Sequence, residues 1–303
     1  MDGVRAGRPS GDRVVVCGEV LFDRFPDGGE VLGGAPFNVA WNLEALGADP
    51  LLVSRVGNDA LGDRILASMA DWGMRTVCLQ VDELHATGTV EVGFDDGEPV
   101  FDIAADCAYD YIDEEMIPEI AGRPLLYHGS LVCRGSRSRR ALESLIHRCQ
   151  PSIFFDVNLR SPWWEESRVH HLLETAPEVK MNADELTALA PGESGLEARV
   201  HNLLSRFAIE RLHVTRGEAG ALAFTAQGEC LEVRPDNPIP VVDMVGAGDA
   251  FASVLILGRL NSWPLATSLQ RAQEFAAAIV SLQGATISDR SFYQGFREAW
   301  RVQ

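Results

Sequence analysis

An acidic residue directly behind a glycine-rich turn is the strongest chemical feature of this sequence. Gly246, Ala247 and Gly248 precede Asp249, and an apolar segment with helical period, Ala250 to Leu260, follows. Glycines let backbone N–H groups approach a ligand with no Cβ in the way, and the start of a helix adds N–H donors without partners inside the helix. The turn is therefore predicted to be an anion hole, in which Asp249 places a negative charge.

Two interpretations of Asp249 follow from this position. A carboxylate beside a bound phosphate can take a proton from the hydroxyl that attacks the phosphate, which predicts phosphoryl transfer with Asp249 as general base. Alternatively, Asp249 only favours the start of the helix through the helix dipole. In both cases an apolar run of strand type, Ile239 to Val242, is predicted to lead into the turn.

A second candidate carboxylate lies near the start of the chain. Arg13 to Leu21 is a continuous apolar run typical of a buried parallel strand, so Asp23 is predicted just past the carboxyl end of this strand. Open α/β sheets bind ligands at that end, although an Asp shortly before a Pro-Asp-Gly sequence is also typical of a turn. Asp23 is therefore either a ligand-binding carboxylate or a turn former.

A pair of glycines precedes the next predicted helix. Gly33 and Gly34 lead into a helix that ends at Leu46, with Gly47 as its stop signal. Asn38 lies one turn inside this helix and is a poor helix former there. Its presence indicates either a polar contact with a ligand at the helix start or plain solvation.

Three later polar stretches each follow a predicted strand. Asn182 and Glu185 open a helix and are typical of a capping box, which is the structural alternative to a ligand site. The sequence TRGEAG, from Thr215 to Gly220, predicts either a glycine-containing turn or a loop that binds nucleotide phosphates. Arg160, in the sequence DVNLR at 156–160, is a candidate clamp for a phosphate.

The composition excludes several classes of protein. A net charge of −18 over 303 residues argues against a nucleic acid or an anionic membrane as partner. No apolar run reaches membrane-spanning length, and the polar start of the chain predicts no signal peptide. The cysteines form no CxxC pair, which indicates separate, mostly buried thiols of a reducing, cytoplasmic compartment. The histidines form no HExxH or HxH pattern, which argues against a zinc enzyme, and the missing GxGxxG disfavours a dinucleotide-binding domain.

Lysine is almost absent from the sequence. Lys180 is the only one, and it follows Val179 where a P-loop lysine would have to follow a glycine. The strand lysine of protein kinases is missing as well. If the chain handles ATP, it uses neither of these designs.

Predicted strands and helices alternate along the sequence, and this alternation predicts the fold class. Strands are predicted at 51–56, 125–128, 153–156, 179–181 and 212–215, with a late antiparallel pair at 221–224 and 230–233, and helices at 59–72, 136–149 and 268–283. This alternation predicts a mostly parallel sheet with helices on both faces. The segments 87–93 and 99–103 alternate polar and apolar residues across Asp95-Asp96-Gly97, which predicts a β-hairpin and a small lid.

Together, these stretches resemble the ribokinase-like (PfkB) family of sugar kinases, and within it the fructokinase-type members, from Val14 to about Gln294. The most specific matches are the motif from Gly33 to Asn38 and the motif from Asp243 to Asp249. The resemblance implies one Rossmann-like α/β domain over residues 1–303, with a β-lid from about 15–35 and 85–110. It also implies an ATP-dependent carbohydrate kinase that uses Mg²⁺.

The resemblance further assigns roles to individual residues of this sequence. It implies that Asp249 is the general base on a primary hydroxyl of the sugar, and that the turn 246–248 is the anion hole. It also implies that the sugar is bound by Asp23, Gly33, Gly34 and Asn38, and that the metal–phosphate end of ATP lies at Asn182 and Glu185. The nucleotide is expected at Thr215, Gly217 and Gly220. A monovalent cation such as K⁺ is expected at Asp243, Val245, Gly284 and Ser288.

Departures within the family indicate the substrate. Ala35 and Gly129 stand where ribokinases carry Lys and Glu, which favours fructose over ribose. The alternatives are a kinase for another sugar, for 2-keto-3-deoxygluconate or for a nucleoside, and a non-catalytic relative that binds sugar or nucleotide.

Met244 stands where the family usually has Thr, so a weak response to potassium is expected. A homodimer through the lid is a further expectation.

Overall fold

The computed structural model describes residues 13–95, 98–235 and 241–302. Within these ranges the strands are β1 Val14–Cys17, β2 Leu21–Arg24, β3 Glu30–Gly33, β4 Leu51–Gly57, β5 Leu79–Asp82, β6 Gly88–Asp95, β7 Glu98–Ile103, β8 Leu125–His128, β9 Ser152–Asp156, β10 Glu178–Asn182, β11 Arg211–Thr215, β12 Ala221–Thr225 and β13 Cys230–Val233. The α-helices are α1 Ala35–Ala45, α2 Ala60–Trp72, α3 Ser136–Cys149, α4 Glu166–Thr175, α5 Ala183–Leu189, α6 Leu196–Arg206, α7 Ala247–Leu260, α8 Leu265–Val280 and α9 Arg290–Trp300.

A nine-stranded sheet forms the centre of the fold, in the order β13-β12-β11-β10-β9-β8-β1-β4-β5. All neighbours pair in parallel except β11–β12 and β12–β13, which are antiparallel. Alternate residues of β1 face different cores, with Val14 and Val16 in one apolar cluster and Val15 and Cys17 in another. Helices therefore cover both faces of the sheet, as the alternating sequence pattern predicts.

A second sheet of four strands, in the order β3-β2-β6-β7, lies apart from the first. Strands β6 and β7 pair antiparallel as predicted, while Asp96 and Gly97 of the predicted turn lie outside the described residues. Val90 and Ile103 are direct partners in this pair and pack with Tyr109 and Leu131. One face of the second sheet is therefore apolar and covers part of the larger domain.

The prediction of one strand from Arg13 to Leu21 was wrong. Strand β1 ends at Cys17, and the chain turns at Gly18, whose φ of 151° and contact with Pro36 leave no room for a side chain. A Cβ at position 18 would lie 2.5 Å from Pro36 Cγ. Asp23 consequently lies inside β2 of the second sheet and not just past the end of the first strand.

The strand predicted before the anion-hole turn was also wrong in its described part. Val241 and Val242 are exposed and lie outside any strand, and residues 239 and 240 lie outside the described ranges. The N–H groups of Val242 and Asp243 donate instead to the carbonyl of Val280, at the end of α8. The start of α7 is thus held by a helix end and not by a sheet.

Two helix boundaries differ from the prediction by about one turn. Helix α7 begins at Ala247, because Gly246 adopts the left-handed conformation that caps it, and Asp249 therefore lies in its first turn. Helix α8 begins at Leu265 and ends at Val280. No helix in the described ranges combines the length and the apolar character needed to cross a bilayer.

Candidate active site

The turn at the start of α7 has the backbone that an anion hole requires. Gly246 has φ 80° and ψ −3°, and a Cβ there would lie 2.4 Å from the Cβ of Ala285. Only glycine fits this position without strain or a clash. The N–H groups of the first turn, from Ala247 to Asp249, lie at the positive end of a helix of 14 residues.

Asp249 lies at this helix start and is fixed by a residue from the other end of the sequence. Its Oδ2 accepts a hydrogen bond of 2.8 Å from Nδ2 of Asn38 on α1. Burial raises the pKa of the Asp249 carboxyl to about 6, while the hydrogen bond from Asn38 lowers it and the charge of Asp156 raises it. The raised pKa makes this carboxylate more basic than that of a free aspartate, and part of the residue remains accessible to solvent.

Asp23, Gly33 and Asn38 converge on the same place. A Cβ on Gly33 would lie 3.1 Å from Oδ2 of Asp23 and 3.9 Å from Oδ1 of Asn38. The Oδ1 of Asn38 is buried and has no hydrogen-bond partner among the described residues. Burial raises the pKa of Asp23 to about 6, which the charge of Arg160 opposes. The structure therefore joins Asp23, Asn38 and Asp249 into one polar cluster.

Gly34 completes the cluster through its backbone. Its φ of 104° belongs to the region that favours glycine, and a Cβ would lie 2.8 Å from the backbone oxygen of Glu19. Arg160 follows β9 on the surface, and its positive charge lowers the pKa of Glu19, Asp23 and Asp249 alike. Arg160 is therefore near the cluster, as a phosphate or sugar clamp would be.

Glu19 is a member of the cluster that the sequence patterns missed. The residue is 4% exposed, and its Oε2 lacks a hydrogen-bond partner within the described ranges. Burial raises the pKa of Glu19 to about 7, and the charge of Asp249 contributes to this rise. The available signal was its place two residues after a buried strand, which the prediction of a longer strand concealed.

Asn182 and Glu185 form the capping box that their spacing predicts. Oδ1 of Asn182 accepts from the N–H groups of Asp184 and Glu185, and Oε2 of Glu185 accepts from the N–H of Asn182. Oε1 of Glu185 accepts from the N–H of Leu159 and so ties the box to the DVNLR segment. The capping role is thus confirmed, and a role toward a nucleotide stays a prediction.

Thr215 lies beside this box at the same edge of the sheet. It is the direct parallel neighbour of Asn182 in the register of β10 and β11. Gly217 and Gly220 form the following turn with φ 56° and 82°, and a Cβ on Gly220 would lie 2.0 Å from the carbonyl of Val233. The glycine-containing turn is confirmed, while nucleotide binding by it is a prediction.

The residues predicted to hold a monovalent cation are only partly brought together. Oδ1 of Asp243 accepts from the N–H of Val245 at 2.9 Å, and Oδ2 accepts from the N–H of Gly284 at 3.0 Å. Ser288 is exposed and shares no hydrogen bond with them in the described part of the chain. Met244 is 76% exposed, so the Asp243 carboxylate and not the side chain at 244 fixes this turn.

A metal site made by protein ligands alone is absent from the described ranges. They contain no group of three or more His, Cys, Asp or Glu residues that could hold an ion. Glu185 still offers carboxylate oxygens with a lone pair beyond each N–H bond, which suits a metal that arrives with phosphate ligands.

Comparisons with known proteins show which proteins this chain is similar to. Residues 17–291 match the model of the pfkB family carbohydrate kinases. A fructokinase of Klebsiella pneumoniae is 31% identical over 294 residues, which cover 90% of this chain and 94% of that protein. The Vibrio cholerae O395 fructokinase, in its fructose, ADP and calcium ion bound form, has a TM-score of 0.83 at 25% identity and covers 95% of this chain and 99% of its own. The aminoimidazole riboside kinase of Salmonella enterica, with aminoimidazole riboside and an ATP analog, has a TM-score of 0.81 at 25% identity and covers 94% and 99%.

Proposed function

The chain belongs to the pfkB family of carbohydrate kinases, and from this membership we propose that it transfers the γ-phosphoryl group of ATP to a primary hydroxyl of fructose. The observation that carries the proposal is the Asp249 carboxylate at the anion-holding start of α7, oriented by the hydrogen bond from Asn38. A module that only binds phosphate has no need of a carboxylate at that place. The pairing of a base with an anion hole is what in-line phosphoryl transfer requires.

In the proposed reaction, Asp249 takes the proton of the sugar hydroxyl as its oxygen forms a bond to the γ-phosphorus. The bond from that phosphorus to the bridging oxygen breaks, and ADP leaves with the electron pair. The backbone N–H groups of the turn formed by Gly246, Ala247 and Gly248 stabilise the charge on the phosphoryl oxygens. Asp249 then returns its proton to the solvent.

Polar groups around this base would hold the sugar. We assign this role to Asp23, Asn38 and Arg160, with Gly33 and Gly34 keeping the approach open. Glu19 joins them, because a buried carboxyl oxygen without a partner is costly unless a ligand hydroxyl satisfies it.

The nucleotide would lie across the neighbouring strand ends. We propose that Asn182 and Glu185 face the metal–phosphate end of ATP, and that Thr215, Gly217 and Gly220 line the nucleotide site. Mg²⁺ would enter bound to ATP and neutralise charge on its phosphates. Register supports this arrangement, since Asn182 and Thr215 are direct neighbours.

A panel of acceptors tests the proposed substrate. Purified protein is incubated with Mg²⁺ and ATP labelled at the γ-phosphate, together with fructose, ribose, 2-keto-3-deoxygluconate or aminoimidazole riboside. We expect fructose to have the highest kcat/KM. The nucleoside-type acceptor is the second candidate, because a kinase named for such a substrate shares the fold at similar identity. Failure of every acceptor, with ATP still bound, would favour a non-catalytic relative.

The second sheet is proposed to be a lid over the sugar. Cross-strand partners place Asp23, Val31, Val92 and Phe101 on one face of this sheet, together with the buried Val90. Val31 and Phe101 are 38% and 45% exposed, so the apolar face extends beyond the part that is covered. Closure over a bound sugar would shield the phosphoryl group from water.

Replacing both Val92 and Phe101 with Ser should weaken this closure. We expect the KM for the sugar to rise roughly tenfold, the size of effect that a lost apolar contact has in a binding site. Hydrolysis of ATP by water should rise relative to transfer, and both are measured in a coupled ADP assay. Asp102→Ser, on the opposite face, is the control. An unchanged KM together with unchanged hydrolysis would contradict the lid.

A monovalent cation is proposed at the turn of Asp243, Val245 and Gly284. Because the Asp243 carboxylate holds this turn, Asp243→Ala should remove most activation by potassium, and Met244→Thr should change it little. Turnover is measured against KCl, with ionic strength held by tetramethylammonium chloride. Wild-type turnover that does not depend on potassium would contradict the cation site. Strong activation by potassium that is gained only in Met244→Thr would show that the side chain at 244 controls the site.

Two further expectations belong to the same proposal. The described cysteines are all free thiols, which supports a reducing, cytoplasmic location. A homodimer through the second sheet is the other expectation, which analytical ultracentrifugation tests.

A further inference from the structure

The only lysine of the sequence lies directly under the anion hole. Nζ of Lys180 on β10 is 2.9 Å from both carboxylate oxygens of Asp156, its direct neighbour on β9. A Cβ on Gly248 would lie 3.2 Å from the same Nζ. Both side chains of the pair are buried, at 8% and 2% exposure. A fixed positive charge therefore faces the turn that is proposed to hold the phosphoryl group.

Stability alone is a weak reason for such a pair. Taking two charges out of water is costly, and well-packed apolar residues of similar size often give equal or greater stability. The orientation is also specific, since the ammonium group lies close to the helix start at Gly248, and the hydroxyl of Tyr127 donates to Oδ2 of Asp156 at 3.2 Å.

The charge of Lys180 is maintained by its surroundings. Burial is the largest single effect and lowers the pKa of the ammonium group, but the acidic groups around Lys180, Asp156 first among them, together raise the pKa overall. Glu185 and Asp249 add to this effect from α5 and α7. The group therefore stays protonated, and its field acts on any anion bound above Gly248.

We propose that Lys180 is a positioning residue of the phosphoryl-transfer site, which Asp156 holds in place and whose charge strengthens the binding of the transferring phosphoryl group in the anion hole. The inference rests on the proposed function, because it requires that the phosphoryl group pass through this turn. Lys180 donates no proton in the reaction. Its contribution is electrostatic and grows as charge is redistributed over the phosphoryl oxygens.

A single lysine allows a direct test on the wild-type protein. Protein labelled with ¹³C-lysine, with any tag free of lysine, should give one Cε–Hε signal in NMR. With Mg²⁺ present, we expect this signal to shift when aluminium fluoride is added to the ADP complex, because the planar fluoride mimics the transferring phosphoryl group. A signal that is the same with ADP and with ADP–aluminium fluoride would overturn the proposal.

Variants give the second readout. The double variant Lys180→Met, Asp156→Asn removes both buried charges together, so neither charge is left buried without its partner. We expect the affinity for ADP–aluminium fluoride, relative to that for ADP, to fall at least about tenfold in calorimetry, or about 1.4 kcal/mol. kcat should fall by a similar factor, with the KM for fructose unchanged. A double variant that keeps the wild-type affinity ratio would contradict the role.

A control variant separates the role of Lys180 from general stability, and one further outcome separates it from the choice of substrate. Glu178→Gln changes another buried carboxylate on β10, which pairs with His213 and with Arg259 near the far end of α7. It should lower stability without changing the affinity ratio. A wild-type protein that binds ADP–aluminium fluoride but does not phosphorylate fructose would contradict the proposed substrate and leave the test of Lys180 intact.

Discussion

Replacing Asp249 with Asn should lower turnover by about 10²–10⁴-fold while the fold and the affinity for ATP stay unchanged. The amide has nearly the same shape as the carboxylate and can still accept the hydrogen bond from Asn38, but it cannot take a proton. Turnover is measured with fructose and ATP, the fold by thermal unfolding and ATP affinity by calorimetry. Asp71→Asn, an exposed change of the same chemistry on α2, is the control.

The pH dependence gives an independent check of the same base. A general base works in its ionised form, and burial raises the pKa of Asp249 to about 6, so kcat should fall as the pH drops through about 6. Asp23 and Glu19 also have raised pKa values, at about 6 and about 7. The variant Asn38→Ala distinguishes Asp249 from these two residues. Loss of the hydrogen bond from Asn38 should raise the pKa of Asp249, so the acidic limb of the pH profile of kcat should move to higher pH.

Two results would contradict the role of Asp249. Turnover of Asp249→Asn within a few-fold of the wild type would show that the carboxylate only favours the helix start. An acidic limb that stays in place in Asn38→Ala would show that another group sets it. In either case the anion hole could still bind phosphate, and the search for the base would pass to Asp23 and Glu19.

Gly246→Ala should cost nearly as much activity by a different route. The added methyl group would lie 2.4 Å from Cβ and 2.7 Å from Cα of Ala285, and the φ of 80° is strained for alanine. The strain alone costs about 1–3 kcal/mol of stability. Because the clash must also displace the N–H donors, and a misplacement of about 1 Å costs roughly 10²-fold in rate, we expect turnover to fall about 10²-fold or more.

Gly195→Ala separates the clash from the backbone strain. Gly195 caps α6 with a φ of 88°, and a Cβ there would meet nothing within 4 Å. The control should lose stability and keep turnover, while Gly246→Ala should lose both. Thermal unfolding and steady-state kinetics measure the two properties. Equal turnover in the two variants would mean that the position of the α7 donors does not limit the reaction.

Local patterns in the sequence determined the elements and much of the fold class. Helix α3 and strand β8 have the bounds that their periodicity predicts, Ser136–Cys149 and Leu125–His128. The capping box at Asn182 is equally local, because it depends on residues within one helical turn. The alternation of strands and helices then sufficed for a parallel sheet covered on both faces.

Tertiary structure decided how the chemical groups meet. Asn38 and Asp249 are 211 residues apart in sequence, and their hydrogen bond exists only because α1 and α7 pack together. Lys180 reaches Asp156 and Gly248 because β9 and β10 are neighbours and α7 begins above them. No periodicity in the sequence encodes such pairings, because they depend on which strands are neighbours in the sheet and which helices pack at the ends of those strands.

The same reason explains the errors near the start of the chain. The mostly apolar run from Arg13 to Leu21 is divided between two sheets at Gly18, where the chain turns beside Pro36 of α1. That division puts Asp23 in the second sheet and leaves Glu19 buried at the turn between the two sheets. A run of apolar residues specifies burial, but the surface that buries it is supplied by residues from elsewhere in the chain.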